Sequence, residues 1–192
     1  MLMALVTIST IYQTVYIALI LLMSKGWNIS RNTLSRNDLS SITLLMGAVY
    51  LSYSAYYVSV NIQGMKIFIG FILNLLYLVL FIVVAKNILD ARANLREQLS
   101  IVRNNEVRSL QACIQLKISI MSNFFVISSI YFTWEIIVNG LIPTFSINQD
   151  QFKPYQNVMQ EIFDFFIISA ILYVYRSRVW PDYFGVNLLE GQ

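Results

Sequence analysis

Three acidic residues lie within stretches of the chain that are otherwise apolar, and they are the side chains best suited to chemistry. Glu161 and Asp164 are three residues apart, a spacing that places both on one face of a helix. Glu135 lies at a similar depth in the preceding apolar stretch. A charge at the centre of a bilayer costs on the order of 3 kcal/mol, so such residues require a compensating role. The pattern predicts a cation or proton site facing a water-filled cavity. The alternative is interfacial carboxylates that face outside water or cap the last helix at its N-terminal end.

Other polar side chains interrupt the apolar stretches. Tyr50, Tyr53 and Tyr57 form a stripe at helical spacing, and Asn74 and Asn123 lie near the middle of two further stretches. The tyrosines either line a ligand pocket or, as such stripes more often do, pack against neighbouring helices with their hydroxyls bonded to backbone carbonyls. Each asparagine either forms a hydrogen bond to another helix, which would stabilise the bundle by under about 1 kcal/mol, or marks a polar cavity.

The residue types that are missing exclude several chemistries. The chain has no histidine and one cysteine, Cys113. Histidine-based triads, histidine metal sites and an internal disulfide are therefore excluded. The sequence also offers no nucleophile paired with a base and no phosphate-binding loop. We therefore expect a non-enzymatic protein with no cofactor and no metal centre.

The composition indicates a membrane protein. Hydrophobic residues make up 57% of the chain and charged residues 12%, against about 25% charged residues in soluble domains. The mean hydropathy is +0.63. The net charge of +3 is carried by short connectors, so membrane lipids are the expected partners and nucleic acid is not.

Five apolar segments approach the roughly 20 residues that a helix needs to cross the hydrocarbon core. They are residues 1–24, 41–60, 67–85, 118–138 and 158–175. The predicted fold class is an all-α integral membrane protein, a bundle of five transmembrane helices that forms one domain over residues 1–175. Residues 176–192 follow as a short cytoplasmic tail.

Basic residues predict the orientation of this bundle, since Lys and Arg are retained on the cytoplasmic side. Three lie in the connector 25–40, six in 86–117 and two in the tail, which is eleven of the 13 in the chain. The connectors 61–66 and 139–156 hold one each. Five alternating spans fit this division with the N-terminus outside, or lumenal, and the C-terminus in the cytoplasm.

The connector 86–117 has a helical pattern of its own. Ile88, Leu95, Leu99 and Val102 share one helix face, and charged residues occupy the remainder. We expect the third and fourth spans to extend as helices into the cytoplasm, with a turn near Asn104 and Asn105. This connector is either a docking surface for another membrane or cytoplasmic protein or for anionic lipid headgroups, or a solvated hairpin with ordinary positive-inside charge.

Two short motifs at the inner ends of spans resemble a known family. Gly26–Arg31 follows the first span, and Tyr175–Pro181 closes the last. Together with the order of spans and connectors, they resemble the Golgi-dynamics (GOST) superfamily of seven-helix membrane proteins, in its intimal-thickness-related-receptor branch, also called the rhodopsin-like GPCR transmembrane domain family. The resemblance implies that structural markers lie at the inner ends of that family's third and seventh helices: Gly26, Trp27, Arg31, Arg176 and Pro181.

The resemblance covers the last five helices of the family, whose members also carry a lumenal β-rich domain and two earlier helices. It implies a fragment or a shortened relative, acting in membrane trafficking or receptor-type signalling in Golgi, endomembrane or plasma membrane. Two other hypotheses stay open. One is a cation- or proton-conducting transport element that uses the three acids, and the other is a small helical accessory subunit of a larger membrane complex.

Overall fold

The computed structural model describes most of the chain. The described backbone covers residues 2–27, 29, 34–59, 63–104, 108–138 and 149–176. Side chains are described for the same residues except 2–5, 63, 66, 104, 108–109 and 149–157.

Within these residues the fold is all-helical, with five helices and no β-strand, which confirms the all-α part of the predicted class. The helices are α1 (Leu2–Ser24), α2 (Arg36–Val58), α3 (Gln63–Asn104), α4 (Arg108–Ile136) and α5 (Gln149–Tyr175).

Four of the five helices, α1, α3, α4 and α5, are long and apolar enough to cross a membrane. Their apolar segments are Val6–Ser24, Ile67–Arg103, Leu110–Ile136 and Val158–Tyr175. Large hydrophobic side chains cover their outer surfaces; Phe71 and Phe165, for instance, are 67% and 68% exposed. An outer surface of this kind suits lipid better than water. The chain is therefore a membrane-embedded protein. The fifth helix, α2, is more polar because serine, tyrosine and an initial charged turn interrupt its apolar residues.

The end of α1 is defined by a glycine. Gly26 has a φ of 74°, a left-handed conformation that other residues rarely adopt. Its N–H donates to the Met23 carbonyl at 2.9 Å, and the Trp27 N–H donates to the Leu22 carbonyl at 3.3 Å. This pair of bonds is the Schellman motif, which satisfies carbonyls left open at a helix end.

A cap and an ion pair fix the start of α2. The Ser35 hydroxyl accepts a hydrogen bond from the Asp38 N–H at 3.1 Å, as an N-cap residue does. The Asp38 carboxylate then accepts from the Lys25 ammonium at 2.7 Å, which joins the end of α1 to the start of α2. The helix consequently begins five residues before the predicted span 41–60.

Helices α3 and α4 form a long hairpin. α3 has 42 residues and measures roughly 63 Å at about 1.5 Å per residue, twice what a bilayer core requires. It continues past the predicted span to Asn104, and α4 begins at Arg108. Ile88, Leu95 and Val102 are buried and Leu99 packs against them. The apolar face of the connector therefore lies in the hairpin interface.

The remaining helices pack around this hairpin. α1 contacts α2, α3 and α4, while α2 also contacts α3, and α5 packs on α4. Aromatic residues fill the described core between them, and Tyr77, Phe124 and Phe132 are almost fully buried. Tyr77 and Phe132 meet edge to face with ring centroids 6.3 Å apart, a favoured aromatic geometry. All five helices thus meet around a tyrosine-rich interior.

Candidate functional site

Two carboxylates are buried where α5 packs on α4. Glu135, next to the last residue of α4, is 0% exposed, and Asp164, in the middle of α5, is 5% exposed. Asp and Glu are almost never buried to this degree unless they are paired, because removing a charge from water is costly. The two acids therefore form the candidate site.

One amide links the two carboxylates. Gln160 lies one turn before Asp164 on α5, and its Nε2 donates to Glu135 Oε1 and lies 3.4 Å from Asp164 Oδ1. Its Oε1 accepts from Trp134 Nε1 at 3.1 Å. An indole nitrogen only donates, so Trp134 requires the amide oxygen and turns the amide nitrogen toward the acids. Trp134 is itself held by stacking on Phe163, with ring centroids 4.5 Å apart.

Helix α1 contributes a second amide and a tyrosine. The Gln13 side chain hydrogen-bonds Asp164. Tyr16 is buried and meets Tyr131 of α4 edge to face, with ring centroids 5.0 Å apart. Both tyrosines lie within electrostatic range of Glu135 and Asp164. The site is therefore shared by α1, α4 and α5.

Helices α2 and α3 complete the surroundings of Glu135. Tyr53 of α2 and Tyr77 of α3 are both buried, and their hydroxyls hydrogen-bond each other. Each tyrosine also interacts electrostatically with Glu135. Every described helix thus places at least one polar side chain around the two acids.

The site holds buried oxygen atoms that lack a hydrogen-bond partner among the described residues. They are Gln13 Oε1, Tyr16 Oη and Tyr131 Oη. An unsatisfied buried polar atom costs about 1–3 kcal/mol, and native proteins contain few of them. Carboxylate, amide and hydroxyl oxygens are the ligands that hard cations prefer. The arrangement can therefore accept a cation or a proton next to its carboxylates.

The acidic and neutral oxygen ligands at the site bear on which cation could bind there. No group of three or more His, Cys, Asp or Glu residues that could hold a metal ion occurs in the described part of the chain. Two carboxylates with neutral oxygens can hold a proton or a monovalent metal ion.

The third predicted acid does not join this cluster. Glu161 lies on the exposed side of α5, whereas Asp164 is buried. Positions three residues apart on a helix differ by about 60° around its axis, which here separates the packed face from the outer one. Glu161 still acts electrostatically on Asp164 and on Tyr12 from outside the bundle. The structure therefore buries Glu135 and Asp164 but not Glu161, and the cation or proton site that includes Glu161 stays a prediction.

The predicted tyrosine stripe is divided by packing. Tyr50 is 42% exposed and Tyr53 is buried at the site. Tyr57 stacks on Tyr53, and its hydroxyl is 3.0 Å from Ser9 Oγ on α1. Tyr53 and Tyr57 therefore take part in helix packing, and Tyr53 also interacts electrostatically with Glu135.

The contacts described for the site do not include the two mid-span asparagines or the described family markers Gly26, Trp27 and Arg176. Asn123 is exposed, whereas Asn74 is partly buried and its Oδ1 lacks a described partner. Gly26 and Trp27 form the turn after α1, and the Arg176 guanidinium lies 4.6 Å from the centroid of the Tyr173 ring. Arg31 and Pro181 lie outside the described residues.

Several residues of the site were not predicted. Gln160 is four residues before Asp164, and Tyr131 is four residues before Glu135. Each therefore shares a helix face with its acid, and this spacing was a usable signal. The positions of Gln13, Tyr16 and Tyr77 depend on contacts between helices far apart in the chain, which the sequence pattern does not encode.

Comparison with protein-family models, curated proteins and solved structures finds no match to this chain.

Proposed function

We propose that this chain is a cation-linked transport element that binds one proton or one monovalent metal ion between Glu135 and Asp164. The observation that carries the proposal is the burial of these two acids on different helices, joined through the single amide of Gln160. The unpartnered oxygens of Tyr16 and Tyr131 support it, because both tyrosines lie within electrostatic range of the two acids.

Electrostatics explains why a cation would bind. Taking two like charges out of water is costly, and residues of this kind within membranes mark ion pathways and proton relays. A proton or metal ion between the carboxylates reduces that cost. All five helices contribute to the surroundings, so cation binding would change the contacts that hold the helices together. That is the coupling a transport element needs.

The proposal includes the predicted topology of five spans with a lumenal N-terminus. α2 has 23 residues, roughly 34 Å of helix and enough to cross a bilayer core. Tyr53 of α2 lies alongside the apolar helices at the site, which supports α2 as the fifth span. Lys117 and Glu135 are 18 residues apart, so about 27 Å of α4 separates them. With the basic hairpin in the cytoplasm, the site would lie near the lumenal side.

Proton release on addition of sodium tests the proposal. A metal ion that binds a carboxylate site displaces bound protons. We expect sodium chloride, but not choline chloride, to release protons from the purified full chain in weakly buffered detergent. The double variant Glu135→Gln, Asp164→Asn should release none. Glu161→Gln is the matched control, since it removes a neighbouring carboxylate on the exposed side of α5, and it should behave as the wild type. Equal release from the double variant would overturn the assignment.

A second candidate function is receptor-type signalling or membrane trafficking in Golgi, endomembrane or plasma membrane. It rests on the family resemblance, and the observation that favours it is the tight turn at Gly26 and Trp27, where the family motif ends a helix. A glycine turn is also a common helix end in general. Fluorescence imaging of the tagged chain tests it. Steady residence in Golgi or endosomal membranes supports it, whereas co-purification with a fixed set of membrane subunits supports the accessory-subunit hypothesis instead.

A further inference from the structure

A groove opens between α1, α2 and α3, and none of its lining residues belongs to the acidic site. Its volume is about 550 Å³, within the range of about 300–1,000 Å³ that is usual for ligand pockets. It is open to the outer surface of the bundle and is lined by the end of α1, the first half of α2 and the middle of α3.

All three walls of the groove change from apolar to polar along its length. On α1 the lining changes from Leu21 to Lys25 and on α3 from Val83 to Lys86. On α2, which contacts both helices, it changes from Leu44 to Ser40, in the opposite direction along the chain. The apolar part faces the apolar segment of α3, and the polar part begins where the run 67–85 ends. This change of polarity matches the boundary between acyl chains and headgroups.

The charges of the polar part nearly cancel. Lys25 is paired with Asp38 at 2.7 Å. Lys86 and Asp90 line the groove one turn apart and are both exposed. Neither makes an ion pair with another described residue. The groove therefore offers one ammonium and one carboxylate to an occupant, side by side, with serine hydroxyls beside them.

We propose that this groove binds one phospholipid with a zwitterionic, amine-bearing headgroup. Its phosphate would lie against Lys86 and Ser40, because an ammonium and a hydroxyl both donate to phosphate. Its amine would lie against Asp90, and an acyl chain would run along Leu21, Leu44 and Val83. An anionic lipid would satisfy Lys86 but place its net negative charge beside Asp90. This inference is independent of the proposed cation site.

Native mass spectrometry of the purified full chain tests the proposal. We expect one phosphatidylethanolamine per chain to be retained in preference to phosphatidylglycerol. A surface lysine contributes a modest part of lipid affinity, so Lys86→Ala should weaken retention about fivefold. Asp90→Asn should remove the preference for the zwitterionic lipid. The matched control Arg96→Ala removes an exposed basic residue of the same helix that does not line the groove.

Three outcomes of the lipid-retention measurement would overturn parts of the proposal. Retention unchanged in Lys86→Ala, or weakened equally in Arg96→Ala, would overturn the site. Tighter binding of phosphatidylglycerol to the wild type would overturn the zwitterionic assignment. Far-UV circular dichroism of each variant, expected to match the wild type, shows that the helices remain intact. As a second variant, Val83→Trp should block the acyl part and reduce retention while leaving all charges unchanged.

Discussion

Replacing the bridging amide, Gln160→Leu, is predicted to destabilise the bundle by about 2 kcal/mol. Gln160 donates to Glu135, accepts from Trp134 and approaches Asp164. A hydrogen bond to a charged group contributes about 1.5–3 kcal/mol in proteins. In membrane proteins single polar contacts contribute less, about 0.6 kcal/mol on average, because the unfolded state also finds partners. The loss of one charged and one neutral bond therefore gives a value near 2 kcal/mol.

The assay is unfolding of the purified chain by SDS in mixed micelles, followed by far-UV circular dichroism rather than by fluorescence, since Trp134 itself contacts Gln160. A double-mutant cycle with Glu135→Leu isolates the interaction of interest. Once the carboxylate is also apolar, Gln160→Leu should cost less than about 1 kcal/mol, because the buried Glu135 acceptor is no longer there to be left without its donor. Glu161→Gln, which alters an exposed acid one residue away, should leave stability within about 0.5 kcal/mol of wild type.

Two results would refute this reasoning. If Gln160→Leu unfolds at the wild-type SDS fraction, the amide does not hold α4 and α5 together. If its cost is the same with and without the Glu135 carboxylate, the loss arises from packing rather than from the hydrogen bond.

The remaining predictions concern the site, the α1 turn and the topology. Tyr131→Phe removes an unpartnered buried hydroxyl. It should therefore raise stability by about 1 kcal/mol in SDS unfolding and weaken sodium-dependent proton release. Lower stability would show that the hydroxyl has a structural partner. Gly26→Ala should cost about 1 kcal/mol, because Gly26 has a φ of 74° that alanine rarely adopts, and an unchanged unfolding midpoint would contradict that conformation. Ser100→Cys, made in a Cys113→Ala chain so that it carries the only thiol, should react with an impermeant maleimide from the cytoplasmic side; labelling from the lumenal side would reverse the proposed orientation.

Helix positions could largely be predicted from the sequence where local chemistry determines them. The apolar runs identify α1, α3, α4 and α5, and the pattern of Ile88, Leu95 and Val102 identifies the helical hairpin. The start of α2 was predicted too late because a cap and the Lys25–Asp38 ion pair add polar turns that hydropathy does not register.

The site could be predicted only in part. The sequence identified Glu135, Glu161 and Asp164 as candidates but left open whether they are buried or face outside water, and only packing decides that Glu135 and Asp164 are buried and Glu161 is exposed. Packing alone also decides that Tyr53 is buried while Tyr50 is exposed, because their helical spacing does not show which of them faces the core. Contributions from α1 and α3 arise from contacts between segments that are distant in the chain, and periodicity along one helix carries no information about them.

Cation flux through the reconstituted chain tests the central claim most directly. Vesicles that contain the purified protein are given a sodium or proton gradient, and the flux is followed with an ion-sensitive dye. The experiment compares the wild type, Glu161→Gln and the Glu135→Gln, Asp164→Asn double variant. We predict flux in the first two and its loss in the third, at equal amounts of folded protein. Flux that persists undiminished in the double variant would contradict the account.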